Sequence, residues 1–218
     1  MKKNTPEKEE ILNKIKEIYK DKGKCIQNRL NEFKEIYNKG NNKKIFTELA
    51  FCLLTPQSKA KSCWKGIENL LQKKHLFEGN EEQVLGELNN VRFKFKKAKY
   101  IIRAREQLSD EIKSKIDEFK DSYDTREWLV QNVKGMGYKE ASHFLRNIGL
   151  GEKLAILDRH ILKNLKLLGV IKEIPVSLSK KEYLTIEKKL TEFAKKVNIR
   201  MDYLDLILWC KETGEVFK

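Results

Sequence analysis

The chain has 218 residues, with 46 Lys and Arg against 32 Asp and Glu, for a formal net charge of +14. That length allows one large domain or two small ones and is enough to bury a core. No run of about 18 apolar residues exists to span a bilayer, and the charged start, Met1-Lys2-Lys3-Asn4-Thr5-Pro6, lacks the apolar centre of a signal peptide. A cytoplasmic, nucleoid-associated location is therefore expected. The charge points to a polyanionic partner, with a densely charged surface like those of heat-loving organisms as the ordinary alternative.

Helical periodicity runs along the chain. Ile11, Leu12, Ile15, Ile18 and Tyr19 recur at helix spacing, as do Ile26, Leu30, Phe33, Ile36 and Tyr37. Asn38-Lys39-Gly40-Asn41-Asn42 reads as a loop. From Ile45 to Leu54 the chain is apolar nearly all round, the mark of a buried helix. Pro56 disfavours the helical backbone at Thr55 and breaks it. A helix from about 58 to 71 follows, then helices over 81–90 and 95–107.

The last of these is dense in cations: Arg92, Lys94, Lys96, Lys97, Lys99, Arg103 and Arg105. They would line a DNA track or simply form a solvated face. Asp124-Thr125-Arg126-Glu127 has capping-box form and predicts a helix that ends near Val133. Ser179-Lys180-Lys181-Glu182 does the same for a long helix to about Val197. A final helix over about 202–212 is closed by Gly214. Alternating β-branched runs are nearly absent, so the expected fold class is all-α, with ten or more helices.

Cys25, Cys52, Cys63 and Cys210 are spaced by 27, 11 and 147 residues, which fits neither a disulfide framework nor a zinc site. His75, His143 and His160 are too scattered to suggest a metal.

The stretch from Val133 through Gly135-Met136-Gly137 to Lys139 reads as a two-glycine turn between helices. Glycine relieves the limit on φ and permits close approach of another molecule. The following helix N-terminus favours an anion such as phosphate. Lys139 is odd there, because its cation sits where the helix dipole disfavours positive charge. A G-x-G between helices is often only a tight connection, and lysine is usually a solvated residue. What sets this stretch apart is Asp158, nineteen positions after Lys139 and flanked by Ile156, Leu157 and Ile161. Asp158 also suits a helix N-cap, a role compatible with chemistry because a cap holds the carboxylate still.

Gly135, Gly137, Lys139 and Asp158 resemble, in type, order and spacing, the helix-hairpin-helix DNA glycosylases. Lys134 departs from them, standing where many members have proline. The wider wording from Lys139 to Asn147, with Leu157-Asp158-Arg159-His160-Ile161, resembles the archaeal-type 8-oxoguanine DNA glycosylases with AP lyase activity. This resemblance runs from about residue 43 onward. It implies two helical lobes with a DNA-binding cleft between them. One lobe would be built from residues 1–57 and 155–218. The other, 58–154, would contain the hairpin at about 124–149.

The resemblance also implies roles. Lys139 would attack C1′ of the damaged nucleotide, form a Schiff base and allow β-elimination. Asp158 would stabilise the cationic sugar. Gly135, Gly137 and Lys134 would grip a DNA phosphate. Carbonyls of Gln131, Val133 and Met136 would hold a monovalent cation. Gln57 would fill the gap left by the flipped base, although an ordinary loop glutamine is as good a reading. Phe93, with Phe95 as the alternative, and Trp209 would stack on that base, although periodicity alone makes them core. Lys218 would recognise the oxidised guanine, and Arg159 and His160 would position the sugar–phosphate. No cofactor is required. The absence of four closely spaced cysteines sets the chain apart from members with an iron–sulfur cluster. The expected partner is double-stranded DNA with a damaged base, bound by a monomer. The rival readings are another damaged base, a non-enzymatic helix-hairpin-helix module and a basic DNA-coating protein. The module would have no use for the lysine and the aspartate.

Overall fold

The computed structural model describes residues 6–218, and among them it shows twelve α-helices and no strand. The chain divides into two units. One joins the segment up to Phe33 to Gly151–Lys218, and the other is Lys34–Leu150. This differs from the expected division at 57. The reason lies in α2 (Asn42–Leu54), which packs on α6 (Lys94–Leu108) and α9 (Tyr138–Asn147) and so belongs to the middle unit.

α2 is the centre of that unit. The Asn41 side chain caps it by accepting the Lys44 N–H at 3.0 Å. Every residue from Ile45 to Leu54 is buried. Phe46, Leu49, Phe51 and Leu53 are almost completely hidden, each burial contributing about 1.5–3 kcal/mol. The one carboxylate in this run, Glu48, accepts from Asn147 of α9 at 3.0 Å, so it is buried with a partner. α3 (Ala60–Gln72), α4 (His75–Glu78) and α5 (Glu81–Glu87) follow. After α6 come α7 (Ile112–Asp117) and α8 (Ser122–Asn132). α4 and α7 are too short to show a period in sequence. α8 starts earlier than the capping-box reading gives, because Asp121 accepts the N–H groups of Tyr123 and Asp124 at 2.8 and 3.1 Å.

The other unit takes α1 (Pro6–Asn38), one long amphipathic helix, as far as Phe33. Ile11, Ile15, Ile18, Ile26, Leu30 and Phe33 form its buried stripe. α10 (Arg159–Leu167) and α11 (Lys180–Val197) both pack on α12 (Met201–Thr213). The capping box expected at Ser179 is present, as is the stop at Gly214, where φ is +81°.

Candidate active site

The hairpin joins Val133, at the end of α8, to Tyr138, the first residue of α9. Gly135 sits at φ +90°, and a Cβ there would lie 2.3 Å from Tyr100 Cδ2. Backbone and packing therefore both demand glycine. Gly137 departs from expectation. Its backbone is extended, at φ −99°, and a Cβ would meet only Glu140 Oε2, at 3.1 Å. Its N–H is already taken by that carboxylate at 3.2 Å, the Glu half of a capping box. The positive φ of this turn thus belongs to Gly135, and the Gly137 N–H is engaged within the chain. Lys134 is exposed beside the turn. Gln131 lies in the last turn of α8, and the Val133 carbonyl accepts the Met136 N–H at 3.1 Å.

Lys139 Nζ lies 3.0 Å from Glu140 Oε1 and donates to Thr55 Oγ1 at 3.2 Å. Its side chain is 22% exposed. The Glu140 carboxylate resolves the electrostatic oddity seen in sequence, since it offsets a cation at a helix N-terminus. The Thr55 hydroxyl donates in turn to the Cys52 carbonyl at 2.9 Å, which leaves its lone pairs for the lysine.

Two residues beyond Thr55, Gln57 is exposed and adopts φ +54°, an uncommon conformation for a residue with a side chain. Phe93 caps α6 at φ +57° and is 53% exposed. Phe95 is 65% exposed. Periodicity placed Phe93 in the core, and the left-handed turn before α6 is what carries it outward.

The cationic run is not a uniform track. Arg105 turns inward and donates to the carbonyls of Gly79, Leu76 and His75 at 2.8, 3.4 and 3.5 Å. Lys97 is buried. Sequence reasoning gave it no separate role. The signal available was its place one residue before Ala98, on the α6 face with Ile101 and Ala104.

In the other unit Asp158 is the N-cap of α10, and its Oδ1 accepts the Ile161 N–H at 2.8 Å. The extended segment leading to it is fixed from α11. Tyr183 Oη donates to the Ala155 carbonyl and the Ala155 N–H donates to Glu187, each at 2.7 Å. Arg159 is exposed, while His160 stands edge-on to Trp209 with ring centroids 5.6 Å apart. Trp209 is half-buried, and its Nε1–H has no acceptor among the described residues. His160 Nδ1 is 3.8 Å from Glu212. Burial would raise the Glu212 carboxyl, but hydrogen bonds from Lys211, Asn164 and Lys163 hold it down to about 2. Lys218 is half-buried beyond Gly214.

A two-glycine turn that opens a helix on a largely shielded lysine, with the described residues all helical, is the pattern of a helix-hairpin-helix protein. Comparison narrows this. The family model described as 8-oxoguanine DNA glycosylase matches residues 26–199. An 8-oxoguanine DNA glycosylase/AP lyase of Fusobacterium nucleatum is 48% identical over 215 residues, covering 97% of this chain and 99% of the relative. The crystal structure of the 8-oxoguanine DNA glycosylase of Thermotoga maritima superposes with a TM-score of 0.88 at 35% identity, covering 97% of this chain and all of that one. A Methanocaldococcus jannaschii 8-oxoguanine glycosylase/lyase, crystallised with a 15mer DNA containing 8-oxoguanine, has a TM-score of 0.88 at 38% identity, covering 95% and 99%. The chain belongs to the 8-oxoguanine DNA glycosylase family.

Proposed function

We propose that this chain excises 8-oxoguanine from duplex DNA in base excision repair and then cleaves the strand at the abasic site, with Lys139 as the nucleophile. The Lys139 amine, once it has shed a proton, bonds to C1′ as the bond to the base breaks. The sugar ring opens to a Schiff base. Loss of a C2′ proton then expels the 3′ phosphate, and water releases the lysine. Asp158 supplies negative charge to the cationic sugar, with its geometry fixed by the cap it makes. The reaction draws both groups from the chain itself.

The remaining residues bind. Lys134 and the hairpin around Gly135 take a phosphate without reading sequence. The carbonyls of Gln131, Val133 and Met136 are the candidate cation ligands there. Gln57 fills the space of the flipped base. Phe93 and Trp209 stack on that base, and Lys218 reads its oxidised edge. Arg159 and His160 hold the adjoining sugar–phosphate. The protein acts as a cytoplasmic, nucleoid-associated monomer.

One observation carries the nucleophile assignment: the lysine at the hairpin exit is held between a hydroxyl and a carboxylate and is mostly shielded from water. The test is a duplex with a single 8-oxoguanine, compared with its guanine twin on a denaturing gel without alkali. Cleavage at the lesion alone is expected. An intact lesion strand would refute the activity.

A further inference from the structure

Lys97 is the one lysine buried among the described residues, at 4% exposure. It lies on α6 with Ala98, Ile101, Ala104 and Leu108 as buried companions, so packing alone asks for an apolar side chain. Its ammonium instead donates three times: to the Leu54 carbonyl at 2.7 Å, the Pro56 carbonyl at 2.7 Å and Ser58 Oγ at 3.0 Å. Those three acceptors span the break after α2. The same Ser58 hydroxyl accepts the Arg92 N–H at 3.0 Å, which ties in the turn that carries Phe93. Between the acceptors lie Thr55, which meets Lys139, and Gln57, in its left-handed conformation.

Resting on the function proposed above, we infer that Lys97 is a positioning residue: its ammonium clamps residues 54–58 so that Thr55 holds the Lys139 amine and Gln57 is presented to DNA. Three acceptors require three N–H donors, and only the charged form supplies them. A neutral amine keeps only two donors, so one of the three bonds is lost or must reverse, with the Ser58 hydroxyl donating instead. Burial lowers the pKa of Lys97 to about 8, so the clamp discharges as pH rises through about 8. The charged and titratable groups around it are Cys63, Lys139, Glu140 and Arg92.

The experiment compares wild type with Lys97→Met, which keeps an unbranched chain one atom shorter and removes the charge. Borohydride trapping on 8-oxoguanine duplex is followed under single-turnover conditions from pH 6 to 9.5. Alongside it run thermal unfolding and the fluorescence of 2-aminopurine placed beside the lesion. The expected result is a trapping rate lower by tenfold or more at pH 7, a melting temperature within a few degrees of wild type, and a weaker 2-aminopurine signal. The descending limb near pH 8 should appear in wild type and be absent from the variant. Thr55→Val should reproduce the loss of trapping but keep the 2-aminopurine signal. Equal trapping rates and equal pH profiles in wild type and Lys97→Met would overturn the inference. So would a loss of activity that simply follows a fall in melting temperature. Absence of trapping in wild type would instead refute the function on which the inference rests.

Discussion

Lys139 reaches 84 residues back along the chain to donate to the hydroxyl of Thr55, at 3.2 Å. That contact links the hairpin exit to the broken end of α2. Thr55→Val removes it with little change in volume. A hydrogen bond to a charged group contributes about 1.5–3 kcal/mol, so partial loss of it in the transition state predicts a fall in the trapping rate of roughly tenfold. Single-turnover kinetics at saturating enzyme checks this, with damaged-DNA affinity expected to stay near wild type.

Lys139→Gln removes the proposed nucleophile and leaves a polar side chain one atom shorter. Strand cleavage should vanish, while gel-shift binding to 8-oxoguanine duplex persists.

Asp158 is at once a helix cap and the candidate carboxylate, and two substitutions separate these roles. Asparagine caps about as well as aspartate, whereas alanine does not and costs about 1 kcal/mol. Asp158→Asn should therefore melt near wild type and lose at least about a hundredfold in excision rate, of the order removed with one electrostatic stabiliser. Asp158→Ala should lose both. Denaturant midpoints and excision rates measured on the same samples decide between them.

The two hairpin glycines make a contrasting pair. Gly135→Ala meets a positive φ and the Tyr100 ring, so it should destabilise by at least about 2 kcal/mol. Gly137→Ala needs only a small shift of the Glu140 carboxylate and should fold within about 1 kcal/mol of wild type. Thermal unfolding of both variants checks the difference.

Glu212 gives a pH dependence. Its carboxyl is held at about 2, against 4.5 for a free glutamate. Below that ordinary value the unfolded chain takes up the proton first. The stabilisation is thus complete above about pH 4.5 and is lost as pH falls through about 2. Glu212→Gln should flatten the fall in urea midpoint between pH 5 and 2.5. Trp209 emission, read through its contact with His160, reports the same transition.

Much of this was legible in sequence where one face repeats or a terminus carries its own signal. The buried run of α2, the Ser179 capping box and the Gly214 stop are local and strong. Asp158 could be read both as a cap and as a functional group, and the structure shows the cap. Glu140 was hidden by its ordinary setting. Only the folded hairpin shows one carboxylate serving both the Gly137 N–H and the Lys139 ammonium. For Phe93, periodicity alone points to the core, because it does not register a left-handed residue before a helix. Lys97 lay unseen within a run of cations, since its partners lie about forty residues away. The division of the chain was misplaced for a related reason: the end of a helix at Pro56 is visible in sequence, but the helices that α2 packs against are not.

The proposed chemistry puts the covalent bond to the sugar on Lys139. Borohydride reduction during turnover of an 8-oxoguanine duplex, followed by proteolysis and mass mapping of the adduct, locates that bond. A deoxyribose remnant is expected on Lys139, in the peptide that carries the hairpin exit. An adduct mapped to another lysine, such as Lys97 or Lys134, would contradict it.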